Sequence, residues 1–172
     1  MAALNPEHLL EQADRLIAPP GGGAPRQADL KRAMSTAYYA VFHAILTAAA
    51  DDFVGVTHRS TPRYALLYRS IGHGSLRAFC EDVLKKTIPS KYSGYAPTGG
   101  FGTDLTALAT ALVDLQEKRH LADYDPLFRV NTSDAVLAVA TARSAVARFN
   151  NASRASRRAF LSLVVFTPRW SP

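Results

Sequence analysis

The sequence predicts an all-α protein. Two observations carry that expectation. Alanine and leucine recur at helical spacing along most of the chain, and prolines and glycines gather between the periodic stretches rather than within them. A third observation bounds the class: 48% of the 172 residues are hydrophobic and 20% are charged, the balance of a globular domain with a buried core.

The first helix is expected from about Pro6 to Ile17, with Asn5 as N-cap and Pro6 in the first helical position. Pro19-Pro20-Gly21-Gly22-Gly23-Ala24-Pro25 ends it. This connector lacks the Gly-Lys-Ser/Thr ending of a phosphate loop. The second and longest helix is expected from Gln27 to Ala50, with Leu30, Met34, Ala37, Tyr38, Val41, Ile45 and Leu46 as its core stripe. Arg32, Thr36, Tyr39 and His43 fall within about 60° of one another on another face.

A third helix is expected from Ser60 to Gly72, and a fourth from Ser75, as its cap, to Thr87. Residues 88–103 form the longest irregular stretch, and Tyr92, Tyr95 and Phe101 lie in it. The two tyrosines are read as loop anchors before they are read as stacking partners for RNA bases. A fifth helix follows Thr103 and ends by Tyr124 or Asp125, because the residue before Pro126 disfavours helix. It is expected to pack against the second. A sixth runs from Ser133, its expected cap, to Phe149. The apolar run from Phe160 to Phe166 suits a buried helix or a strand equally, being too short for its period to decide. The expected division is thus a bundle over 1–150 and a basic, apolar tail over 151–172, packed on the bundle or beyond it.

The net charge is +6. Up to Asp134, 14 basic and 14 acidic residues cancel, and the later segment holds six arginines and no acid. Arg154, Arg157 and Arg158 are candidate RNA contacts on this ground, with a solvated basic helix as the plainer reading. The single cysteine, Cys80, forms no disulfide within the chain and is expected in the core. The N-terminus is polar and acidic, no apolar run approaches the ~20 residues of a membrane span, and a cytoplasmic protein is expected. His58, His73 and His120 are scattered and expected to be exposed. No metal-ligand spacing, paired cysteines or Gly-x-Ser-x-Gly occurs, so neither metal nor cofactor is expected.

Two segments carry chemistry. In the fifth helix Asp123 follows Leu105 by 18 residues, five full turns, so Asp123 and its neighbour Arg119 continue the apolar stripe. Charges placed there need a partner or a task, and their i,i+4 spacing allows them to pair. In the second helix His43 offers an imidazole that can work near neutral pH, with Tyr39 and Arg32 on its face.

Ser35-Thr36-Ala37-Tyr38-Tyr39-Ala40-Val41-Phe42-His43 and Arg119-His120-Leu121-Ala122-Asp123-Tyr124 together resemble the HEPN superfamily, over a span from about Pro6 to Phe149. The resemblance is to its small stand-alone bacterial and archaeal members. It implies an up-and-down bundle, here of five to six helices, that commonly forms a homodimer. It also implies a function on RNA, as a metal-independent endoribonuclease of toxin–antitoxin type. Alternatively, the chain is a non-catalytic, nucleotide-binding partner of a small nucleotidyltransferase. The ribonucleases of this superfamily carry Arg-x4–6-His. Here the corresponding positions after Arg119 are Tyr124, Asp125 and Pro126, so His43 is the candidate substitute. In that role His43 handles the 2′-hydroxyl proton, Arg119 stabilises the phosphate, Asp123 orients one of them and Tyr124 donates a hydrogen bond. The four are expected to converge, with Tyr39 beside them and with Arg32 among the RNA- or nucleotide-binding residues.

Overall fold

The computed structural model describes residues 4–19 and 21–168. Seven α-helices and no strand occur among them: α1 (Pro6–Ile17), α2 (Gln27–Phe53), α3 (Pro62–Ser70), α4 (His73–Val83), α5 (Gly102–Tyr124), α6 (Thr132–Asn151) and α7 (Arg154–Val165). The expected helical bundle is present, with one helix more than the upper count read from sequence. Arg169 lies outside the described residues.

Helix ends follow local chemistry. The Asn5 side chain accepts the Glu7 backbone N–H and Pro6 opens α1, as expected. Helix α2 begins at Gln27, as expected, whereas the starts of α4 and α6 differ from expectation. Ser75 does not cap α4: its hydroxyl donates to the Gly72 carbonyl, and the helix begins two residues earlier at His73. Asn131, not Ser133, precedes α6, and the Asp134 carboxylate accepts the Asn131 N–H. Gly102 opens α5 with a φ of 81°, a left-handed conformation that side chains disfavour.

Helix α2 is the axis of the molecule. It packs against α1, α3, α5, α6 and α7. Fourteen of its residues are buried, which explains why it carries so little polar surface. By length and composition it could cross a membrane, yet 72% of its most apolar window is buried inside the bundle. Helix α5 runs antiparallel beside it, as its side-chain pairings show below.

The apolar run near the C-terminus is helical. Phe160 of α7 is fully buried and packs on Phe79 of α4 and Phe101 before α5, with ring centroids 5.0 and 5.9 Å away. Phe79 also meets Tyr92 edge-on at 5.4 Å. Tyr92 is buried and donates to the Asp82 carboxylate at 3.2 Å, so it anchors its loop, whereas Tyr95 is exposed. Cys80 is fully buried, and burial pushes its thiol up to about 12.

Candidate functional site

Helices α2 and α5 are tied by polar contacts that step along both. Lys31 donates to the Asp125 carbonyl at 2.8 Å, Ser35 to the Asp123 carboxylate at 2.5 Å, and Arg119 to the Tyr39 hydroxyl at 2.9 Å. Numbers rise on α2 as they fall on α5, so the helices are antiparallel. Positions 31, 35, 39 and 43 are spaced by four and share one face of α2. The Gln27 side chain exchanges two hydrogen bonds with the Val130 backbone, which fastens the segment after α5 onto the start of α2.

Arg119 is the centre of this face. Its side chain is 16% exposed, and its Nε lies 2.8 Å from the Asp123 carboxylate. That N–H does not point at the oxygen, so the buried Nε–H has no aligned acceptor. Nη2 bonds Tyr39. Nη1 makes no hydrogen bond among the described residues. The guanidinium carbon lies 5.3, 5.7 and 6.0 Å from the ring centroids of Tyr39, Tyr124 and Tyr38. Burial works against the charge, but Tyr39, Asp123 and Tyr124 outweigh it and strengthen the hold on the proton.

Arg119, Asp123, Tyr124 and Tyr39 therefore come together. His43 sits one ring further along α2. It stacks on Tyr39 with centroids 6.2 Å apart, and its Nδ1 is 2.7 Å from the Tyr68 hydroxyl of α3. Its link to Arg119 runs through Tyr39. Burial, and the neighbouring His73, hold the His43 imidazole below its ordinary pKa, in the neutral form at pH 7.

Two participants have no role in the sequence reading. Ser35 is buried and holds Asp123. His73, expected to be exposed and uninvolved, is half-buried at the start of α4. Its Nδ1 is 2.7 Å from the Tyr38 hydroxyl, and its ring stacks on Phe42 at 3.9 Å. The Gln116 amide of α5 donates to its backbone carbonyl. Burial first, and then the positive charge of Arg119, lower its pKa. His58 and His120 are exposed, as expected.

Of the face read as Arg32, Thr36, Tyr39 and His43, only Tyr39 and His43 take part in these contacts, and Lys31 and Ser35 supply the others on α2. Arg32 is exposed and makes no ion pair among the described residues, and Thr36 is buried and takes no part in these hydrogen bonds.

The C-terminal arginines lie elsewhere. Arg154, Arg157 and Arg158 line a cleft of about 380 Å³ with Asp51 and Asp52. From Tyr39 to Asp51 is twelve helical residues, roughly 18 Å along α2. Arg158 pairs with Asp52 at 3.4 Å, and Arg157 donates to the Asn150 carbonyl. Arg143 pairs with Glu7 and Asp14 of α1, and Arg148 with Asp104 of α5. The basic excess of the last segment is thus partly neutralised by acids from distant parts of the chain. A larger cavity, about 1020 Å³, lies between the end of α4 and the start of α5 and is lined by none of the site residues. No cluster of three or more metal-ligating side chains occurs among the described residues.

Comparison with protein-family models, with curated proteins and with solved structures matched none of them to this chain.

Proposed function

We propose that this chain is a HEPN-type protein acting on RNA, with Arg119 as the residue that holds a phosphodiester and His43 as the base that prepares the 2′-hydroxyl for attack. The observation that carries the reading is the state of Arg119. The guanidinium is fixed by Tyr39 and Asp123 and flanked by three tyrosine rings, yet Nη1 makes no hydrogen bond among the described residues and the side chain keeps 16% exposure. A fixed cation with an open donor suits an oxyanion, because no reorganisation is needed when charge develops. Tyr124, 64% exposed beside it, offers a face on which a base can stack.

In the cleavage step, the 2′-hydroxyl loses its proton to Nε2 of His43. The 2′ oxygen forms a bond to phosphorus, and the bond from phosphorus to the 5′ oxygen breaks. Water then protonates the leaving oxygen, and His43 returns its proton to solvent. Arg119 offsets the charge on the phosphoryl oxygens throughout. The chain would act as a homodimer and as the toxin of a toxin–antitoxin pair with a small nucleotidyltransferase.

A second reading has its own support. Arg119 is already paired with Asp123, and its link to His43 runs through Tyr39, which contacts both. A non-catalytic module that binds a nucleotide and a nucleotidyltransferase partner would need no closer approach.

The deciding experiment is digestion of single-stranded RNA by pure protein in EDTA, with wild type beside Arg119→Ala and His43→Ala. Cleavage by wild type, reduced on the order of a hundredfold or more in Arg119→Ala, is expected. Cleavage equal in all three proteins, or none by any, would overturn the catalytic reading. Nucleotide binding without cleavage would support the second.

A further inference from the structure

The Tyr38–His73 pair fixes which ring nitrogen of His73 carries the proton. Tyr38 is fully buried, and its hydroxyl makes one hydrogen bond among the described residues, to Nδ1 of His73 at 2.7 Å. Burial drives the Tyr38 pKa far upward, so the phenol keeps its proton. A buried hydroxyl must place that proton on an acceptor, and Nδ1 is the acceptor in reach. Nδ1 therefore presents its lone pair inward, and the neutral ring carries its hydrogen on Nε2. Nε2 makes no hydrogen bond among the described residues, on a ring that is only partly buried.

The ring is held on several sides. Phe42 stacks on it at 3.9 Å, and Tyr39 meets it edge-on at 6.0 Å. The same Tyr39 ring lies 5.3 Å from the Arg119 guanidinium. A fixed neutral N–H donor from α4 and a fixed cationic donor from α5 thus share one aromatic neighbour on α2. The titratable groups around the Tyr38–His73 pair are Tyr39 and His43 of α2, Arg119 of α5, and Arg77 and Cys80 of α4; no carboxylate pairs with His73 among the described residues.

We propose that His73 is a second anion-binding residue of the Arg119 site, its Nε2–H and the free Nη1 of Arg119 together taking the non-bridging oxygens of one phosphodiester. This rests on the RNA reading above and adds to it a residue that neither sequence motif contains. His73 acts here as a donor and not as a base, which divides the labour with His43. The Nδ1 of His43 faces the Tyr68 hydroxyl, and the buried Thr47 hydroxyl beside Tyr68 is without a partner. Tyr68 is only partly buried and Tyr38 fully so, so the Tyr68 hydroxyl is not bound to give its proton to His43, and the Nε2 lone pair of His43 can be free while that of His73 is not.

The test uses the full chain with ¹⁵N-labelled histidine and a 2′-O-methyl oligoribonucleotide, which offers phosphodiesters and no free 2′-hydroxyl. At pH 7 the His73 ring is expected to carry its proton on Nε2, and that resonance should move as the oligonucleotide is added. His73→Phe keeps the stacking on Phe42 and should weaken binding on the order of tenfold. Tyr38→Phe, which removes the hydroxyl that sets the tautomer, should weaken it several-fold while His73 remains. A His73 ring protonated on Nδ1 would overturn the proposal, as would equal affinity in His73→Phe and wild type. If binding needs Arg119 but not His73, this assignment alone falls. If wild type does not bind the oligonucleotide, the phosphodiester reading of Arg119 falls and His73 with it.

Discussion

Tyr39 and Arg119, 80 residues apart in the chain, share a hydrogen bond of 2.9 Å that joins the two longest helices at the candidate site. The bond positions a guanidinium that Asp123 neutralises from the other side. Tyr39→Phe should destabilise the fold by about 1 kcal/mol, the net worth of one such bond. Arg119→Ala leaves Asp123 with Ser35 alone and should cost about 1–2 kcal/mol, below the value for a fully buried pair because 27% of the Asp123 side chain is exposed. Urea unfolding of both variants and of the double variant checks this. The double variant should lose less than the sum of the two.

Two half-buried imidazoles make stability depend on pH. The pKa values of His43 and His73 are both lowered in the fold, chiefly by burial. Unfolded, each returns to about 6.5. Between the folded and unfolded values the unfolded chain binds more protons, so stability rises with pH across that window. Stability should therefore be full above about pH 7 and fall as pH drops below about 6.5. Urea midpoints at pH 7.5 and 5.5 measure it, and His43→Gln should flatten the difference in part. Asp82 acts in a separate window. Burial raises its pKa, but Lys85 and Lys91 outweigh that and leave it lowered, so its contribution is lost only at more acidic pH.

Helix α7 belongs to the core. Phe160 fills the space between Phe79 and Phe101, and Leu161, Leu163 and Val164 are buried beside it. Phe160→Ala should cost about 3–5 kcal/mol, the range for a large aromatic removed from a packed interior. Removal of residues 154–172 should abolish cooperative unfolding, because it exposes both phenylalanines of α4 and the adjoining loop. A truncated chain with the thermal transition of the full one would show α7 to be an appendage.

What the sequence made legible divides by distance along the chain. Asn5 and Pro6 define the start of α1 within two residues, and the structure begins it there. Arg119 and Asp123 are four apart, so their pairing is a property of any helix that holds both. Ser35 and Asp123 are 88 residues apart, and Tyr38 and His73 are 35 apart. Contacts of that kind depend on how helices pack, and one sequence carries no period that marks them. Ser75 misled for a different reason: its residue type suits a cap, but its hydroxyl acts as donor to Gly72 rather than as acceptor for the helix. The run from Phe160 to Phe166 is ambiguous in sequence because Val165 and Phe166 are apolar without being buried, so no polar face marks its period.

The same distance argument bears on the arginine-rich end. In sequence it is a block of positive charge, but folding brings Glu7, Asp14, Asp52 and Asp104 against Arg143, Arg148 and Arg158. Arg154 and Arg157 remain without an ion pair among the described residues, at the cleft that Arg158 shares. If this end contacts RNA, two of its described arginines rather than the whole block are free to neutralise phosphates. Each phosphate neutralised on a single strand contributes roughly −0.7 to the slope of log affinity against log salt. Arg154→Ala together with Arg157→Ala should therefore make that slope shallower by about 1.4, and Arg143→Ala should leave it unchanged while lowering stability. Binding of poly(U) at several salt concentrations, read by fluorescence anisotropy, measures both. A slope unaltered in the double variant would place the polyanion contact away from this end, and the Arg119 face of α2 and α5 would then be the surface to test.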